Sequence, residues 1–175
     1  MEPNMDSIVI GFSRPKSFFE PFSWLIRLVT WSNFSHAYIK YYNTYANRWE
    51  IFQSSGLSVN FVGQILFDSK EIVCYEFEIP LQSNQKQTLI QNAIDKVGLP
   101  YGVGQIFGFA WVLLMRLFGK NVKNPFYNAN SFVCSELVVD MLNQINGTNL
   151  NSSSMTPKDV YNYILSKGYK PVSGE

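Results

Sequence analysis

The chain holds one histidine, His36, and two cysteines, Cys74 and Cys134. Cys134 lies within Asn-Ser-Phe-Val-Cys-Ser-Glu-Leu-Val-Val-Asp-Met-Leu at residues 130–142, where Leu137, Val138, Met141, Leu142 and Ile145 recur at helical spacing. With Asn130 or Ser131 as cap, Cys134 is expected in the first helical turn. Unpaired N–H groups and the positive end of the helix dipole there favour a thiolate, the reactive form of cysteine. A cysteine nucleophile needs a base or imidazolium partner, which is usually oriented by a third polar group. His36 is the sole imidazole, so it is the candidate partner, and only the fold can bring it to Cys134. The orienting group is expected on the strand next to the one that carries His36. Glu50 fits, because a carboxylate among Trp49, Ile51 and Phe52 costs free energy unless it is paired; Gln53 and Asn60 are weaker substitutes. Taken singly, each residue also has a plainer use, as a buried structural cysteine, a strand-start histidine or a solvent-facing glutamate.

These residues must be positioned by elements that the pattern sets out in order. Residues 6–12 read as a short buried strand ended by Arg14-Pro15. A helix starting near Pro21 and running to Trp31 follows, apolar on more than one face. Strands are expected at 36–42, 48–53, 57–62 and 71–79, and in the last of these Val73, Tyr75, Phe77 and Ile79 share one face while Cys74, Glu76 and Glu78 share the other. Short turns between consecutive strands favour an antiparallel meander. Ser83 can cap a helix carrying Leu89, Ile90, Ala93, Ile94 and Val97 that ends at Gly98. A Pro- and Gly-marked loop at 99–104 leads into an apolar helix at 105–118. Thr156, Pro157 and Asp159 open a last helix whose Val160, Ile164 and Leu165 face inward.

The totals exclude several function classes. At 175 residues and 46% hydrophobic composition, one core and one domain spanning 1–175 are the default. Fourteen basic against 13 acidic residues give a net charge of +1, too weak a field to select nucleic acid. Two cysteines supply neither a zinc set nor a disulfide framework, and they fit a reduced setting. The acidic N-terminus lacks the character of a signal peptide, and residues 105–118 fall short of a spanning length and include Arg116, so a cytoplasmic or particle-associated protein is expected. Buried, the 105–118 helix is core, which is the default; exposed, it would be a lid or a lipid or protein contact.

Several stretches together carry a family resemblance. The helix ending in Trp31-Ser-Asn-Phe-Ser-His36, the Trp49-Glu-Ile-Phe strand with Gly56-Leu-Ser-Val, Gly98-Leu-Pro-Tyr-Gly102, Val133-Cys-Ser-Glu-Leu and Met155-Thr-Pro-Lys-Asp occur in this order. In this the chain resembles the circularly permuted branch of the NlpC-type papain-like cysteine peptidases, the YiiX-like proteins. The resemblance implies an α+β fold, with an antiparallel sheet packed against helices in a permuted papain-like arrangement. It implies Cys134 as nucleophile, His36 as base and Glu50 as third member, with Tyr101, Ser135 and Ser35 at the substrate. The implied reaction is attack on an amide or ester carbonyl, in a peptide, peptidoglycan-type or acyl substrate, through a thioester, with no metal or organic cofactor. A lipid-directed acyltransferase or an inactive structural protein of the same fold is the alternative. The stretch around 103–130 departs from the family pattern and reads as an apolar helical insertion.

Overall fold

Alternating and continuous apolar runs build five strands, Ser7–Pro15 (β1), His36–Asn43 (β2), Arg48–Ser55 (β3), Ser58–Gly63 (β4) and Glu71–Pro80 (β5). They form one antiparallel sheet in the order β4-β3-β2-β1-β5 in the computed structural model, which describes residues 6–82, 84–120, 122–128 and 130–173, and of Phe109, Ala110, Leu113 and Leu117 the backbone only. The first four strands make the expected meander. β5 does not extend it; the chain crosses back so that β5 pairs with β1 from Ser7 opposite Pro80 to Pro15 opposite Glu71. The turn back is made through a seven-residue helix, Gln64–Lys70 (α2), which the sequence pattern did not announce. Its Phe67 packs on Tyr38 and Ile51, with the Phe67 and Tyr38 rings 4.6 Å apart.

The alternation expected in β5 is broken. Phe12 pairs with Tyr75 but Ser13 pairs with Val73, so Cys74 is an extra residue in a bulge. Cys74 therefore joins the main core, while Val73 turns to the Tyr38 side of the sheet. The main core is formed by Ile8, Ile10, Phe12, Ile39, Phe52, Phe77 and Ile79 against Leu137, Val138, Met141, Val160 and Ile164 from the helices.

The remaining helices are Pro21–Thr30 (α1), Gln85–Ile94 (α3), Val103–Leu117 (α4), Cys134–Asn146 (α5) and Pro157–Ser166 (α6). α1 starts at its proline and ends where Trp31 takes a left-handed conformation. Ser83, the expected cap of α3, lies outside the described residues. α6 has the reciprocal cap read from sequence: Asp159 N–H donates to Thr156 Oγ1 at 3.2 Å, and Thr156 N–H donates to Asp159 Oδ2 at 2.9 Å. Val160 and Ile164 are buried, but Leu165, expected to face inward, is 40% exposed. α4 corrects a larger expectation. Ile106 and Val112 are buried, yet Val103, Phe107, Trp111, Leu114 and Phe118 face outward, so the helix is only half core. Among the described residues no helix is long and apolar enough to cross a membrane.

Candidate active site

Cys134 is the first residue of α5, and the way this helix begins decides its surroundings. Neither expected cap acts as one: Asn130 N–H donates to Asn128 Oδ1, and Ser131 Oγ accepts from Gln105 Nε2. The cap position falls to Val133, in an extended conformation and with no side-chain acceptor. Glu136 instead reaches back, its Oε2 accepting the Val133 N–H at 3.0 Å. The N–H groups that open α5 therefore have no side-chain cap, which leaves them available to a negative charge at Cys134 or beside it. The chain just before the cysteine is pinned on both sides. Phe132 N–H donates to the Pro100 carbonyl, and the Phe132 carbonyl accepts from Gly102 N–H and from Ser54 Oγ. The Gly98–Gly102 loop is thereby tied to the cysteine.

His36 opens β2 opposite Ser13 of β1. Its Nε2 lies 2.8 Å from Gln53 Oε1 on β3; with Nε2 as donor, Nδ1 is left for the sulfur. The Cys134 Sγ lies 4.0 Å from the Ser35 carbonyl, next to the histidine. Protein atoms crowd the imidazole although an edge of it stays partly exposed. Burial alone would lower its pKa, but a hydrogen bond to Cys134 and the cysteine's charge, followed by the charge of Glu71 and the Gln53 hydrogen bond, outweigh it and push His36 up to about 9. The fold thus brings the sole histidine to one of the two cysteines.

Glu50 is not the group that holds His36. It stands opposite Tyr41, and its carboxylate accepts from Tyr41 Oη at 2.8 Å, Asn43 Nδ2 at 3.1 Å and Arg48 Nε at 3.0 Å. Burial opposes ionisation there, but these three partners hold the carboxyl below its usual range. The reason for the mismatch is parity. Glu50 and Gln53 are an odd number of residues apart on one strand and point to opposite faces. Gln53 is buried and continues to Asn60, its Nε2 lying 3.4 Å from Asn60 Oδ1. Glu71, which no sequence signal singled out, accepts from Ser13 Oγ at 2.8 Å and adds negative charge near the imidazole; only strand register reveals it.

Three further residues were expected at the substrate. Tyr101 and Ser135 line a pocket beside Cys134, completed by Leu25, Ile26 and Val29 of α1, Ile106 of α4, and Thr156 and Pro157 of α6. Ser135 is buried and its Oγ has no hydrogen-bond partner among the described residues. Burial first, then the charges of Cys134 and Glu136, push the Tyr101 hydroxyl well above the ordinary tyrosine range, so it stays protonated. Ser35 is engaged elsewhere: its hydroxyl lies 2.6 Å from that of Ser23, tying the residue just before β2 to α1. The pocket is almost wholly apolar and, at about 30 Å³, holds a small apolar group.

No family model matches the chain, and no curated protein matches it. Among solved structures it is similar to the crystal structure of the metalloprotein YiiX from Escherichia coli O157:H7, of the domain family DUF1105. The two are 19% identical with a TM-score of 0.55, over 100% of this chain and 99% of that one. The described residues include no group of three or more His, Cys, Asp or Glu able to hold a metal ion. Cys134 and His36 supply two donors, and Gln53 occupies one nitrogen of the imidazole, so the site does not fit a resident metal. What the likeness carries over is the architecture: the chain has a YiiX-like α+β fold, an antiparallel five-stranded sheet with helices packed on it.

Proposed function

We propose that the protein is a thiol hydrolase of permuted papain-like type, acting on an amide or ester whose acyl portion is apolar near the carbonyl. The observation that carries this reading is the relay at the start of α5. Gln53 holds the only histidine through Nε2, and that histidine stands beside Cys134, whose Sγ lies 4.0 Å from the carbonyl of the preceding Ser35 and which is the strongest influence raising the imidazole pKa. A structural cysteine has no use for such a partner, whereas a nucleophile requires one.

The chemistry follows from the residues present. The Cys134 thiolate attacks the carbonyl carbon, forming a C–S bond, and the carbonyl oxygen takes up the negative charge. Uncapped N–H groups at the start of α5 are suited to stabilise that oxyanion. As the tetrahedral species collapses, the bond to the amine or alkoxide breaks, and the leaving group takes the proton of the His36 imidazolium. Neutral His36 then accepts a proton from water as the hydroxide adds to the thioester, and collapse releases the acid and the thiolate. Gln53, neutral where the expected Glu50 is charged, orients the ring and accepts from Nε2–H in both states of His36. The small apolar pocket beside Cys134 suits an aliphatic group next to the reacting carbonyl better than a charged or sugar moiety. An acyltransferase would use the same thioester and pass it to an amine or alcohol.

The experiment uses a Cys74→Ser background and a short-chain activated acyl ester, quenched with acid and read by intact-mass and peptide-level mass spectrometry. The acyl mass should appear on the peptide containing Cys134, decay with time in water, and be absent in Cys134→Ala. In His36→Ala, Cys134 should also lose at least tenfold in alkylation rate at neutral pH. Acylation that ignores Cys134, or alkylation indifferent to His36, rejects the proposal.

A further inference from the structure

α1 carries large apolar side chains on its outer side as well as on its inner one, beside Ser23, Arg27 and Thr30, and exposed apolar groups of this size call for a covering partner. Inward, Leu25, Ile26 and Val29 line the pocket beside Cys134. Outward, Trp24 is 46%, Leu28 70% and the following Trp31 90% exposed, and just upstream Phe18 and Phe19 are 71% and 88% exposed. α4 repeats the design. Ile106 faces the pocket, while Phe107, Trp111 and Leu114, with Pro125 and Phe126, form an open apolar groove of about 570 Å³. The two helices make one surface, because the rings of Phe22 and Phe107 meet edge-on at 5.9 Å and Phe18 packs edge-on against Trp24 at 5.2 Å. Contiguous exposed aromatics on this scale mark an interaction site rather than ordinary surface.

Charge identifies the occupant. Residues 97–135 contain no acidic residue but include Arg116, Lys120 and Lys123, and residues 14–34 set Arg14, Lys16 and Arg27 against Glu20 alone, in a chain whose net charge is only +1. Arg116 is spent on Asp159 at 3.0 Å; Lys120 and Lys123 are exposed. Lys120 and Lys123 lie in the chain between exposed Phe118 and the groove-lining Pro125 and Phe126, and exposed aromatics with cations this near in the chain suit the interface of an anionic bilayer, where rings sit at headgroup depth and cations meet phosphate. We infer that the α1–α4 face docks on an anionic lipid bilayer, lying on it without crossing it. A helix is about 10 Å across, so docking sets the Cys134 pocket roughly one helix diameter from lipid. The docking is independent of whether Cys134 is reactive.

The test is flotation of the full chain with vesicles of phosphatidylcholine alone and of phosphatidylcholine mixed with phosphatidylglycerol, together with tryptophan emission. The chain should float with the mixed vesicles, with blue-shifted emission, and bind neutral ones more weakly. Phe19→Ser with Trp31→Asn should weaken binding roughly a hundredfold, about tenfold for each ring withdrawn from the interface. Both side chains are nearly fully exposed, and asparagine suits the left-handed backbone at position 31, so the fold is expected to survive, which circular dichroism checks. Lys120→Glu with Lys123→Glu should abolish the preference for anionic vesicles, at about fivefold per charge. Cys134→Ala should bind as the wild type does. Failure to float with either vesicle, or equal binding by the aromatic variant, overturns the inference. So does a dimer that the aromatic variant disperses in a chain that ignores vesicles, since a second copy then covers the face.

Discussion

Replacing Cys134 by alanine should pull the titration midpoint of His36 from about 9 to its ordinary 6.5 or below. Burial is the largest single influence on this ring and acts downward; it is overcome chiefly by the hydrogen bond to the sulfur and the charge on it. With the sulfur gone, Glu71 and Gln53 are left to oppose burial. The expected fall of two units or more corresponds to about 3 kcal/mol of differential stabilisation of the imidazolium. Cys134→Ser, which keeps the volume but not the charge, should behave the same way. Gln53→Leu should lower the midpoint by about one unit, since a hydrogen bond to a charged group is worth about 1.5 kcal/mol at the low end. The assay is direct. His36 is the only histidine, so one Cε1–H resonance followed by proton NMR against pH reports it without assignment. Stability should follow the same titration. The folded-state pKa lies above the unfolded one, so the protonated ring stabilises the fold fully below pH 6.5, and that contribution disappears as pH rises through about 9. A wild-type midpoint near 6.5, or one that Cys134→Ala leaves in place, would refute the pairing.

Three further outcomes test other parts of the structure. Glu50→Gln should leave the alkylation rate of Cys134 within twofold while lowering stability by about 1 kcal/mol through the Arg48 and Tyr41 contacts; because the folded carboxyl titrates low, that loss should fade as pH falls through its folded pKa. Gly11→Ala should cost about 1–3 kcal/mol in a urea melt, because a Cβ there would overlap the ring of Tyr38, which is buried, packed on Phe67 and bonded to Glu76. Burial pushes the Glu136 carboxyl up to about 7, so its ionisation weakens the fold as pH rises from 4.5 through 7. Glu136→Gln, which keeps an oxygen for the Val133 N–H, should gain about 2 kcal/mol over the wild type at about pH 8 and much less at about pH 5; an equal difference at both would show that the group is not ionising where burial implies.

Much of the secondary structure was legible because the chain punctuates itself. Pro21 opens α1, Thr156-Pro157 with Asp159 opens α6, and short turns separate β2 from β3 and β3 from β4. What failed to show was long-range. The five strands read as a consecutive meander, yet β5 sits beside β1, because the choice of edge depends on which apolar face is left uncovered rather than on any local signal. The bulge at Cys74 is equally silent: one extra residue exchanges the faces of Val73 and Cys74, and it exists only in relation to the paired strand. α2 is short and carries a single buried residue, Phe67, too little for a helical period to emerge.

The site divides along the same line. Residue type alone leads to Cys134 and His36, since a chain with one imidazole leaves no other partner for a thiol, and the helical pattern after the cysteine puts it at a helix start. The third member could not be settled by type, because type favoured the wrong candidate: a carboxylate among aromatics looked more in need of a partner than an amide did. Parity decides otherwise. Glu50 finds its partners in Tyr41, Asn43 and Arg48 on its own face, and Gln53, an odd step further along β3, meets the imidazole. The substitution of an amide for a carboxylate has a chemical consequence. A carboxylate would add a full charge to hold the imidazolium, whereas Gln53 contributes the smallest of the named influences on His36 and Cys134 supplies the largest favourable ones. The raised pKa of His36 therefore comes chiefly from its neighbour Cys134 rather than from the group that orients the ring. Under the proposed mechanism, acylation of the sulfur would remove the interactions that raise the imidazole pKa, and the ring would reach deacylation as the neutral base that the attacking water needs.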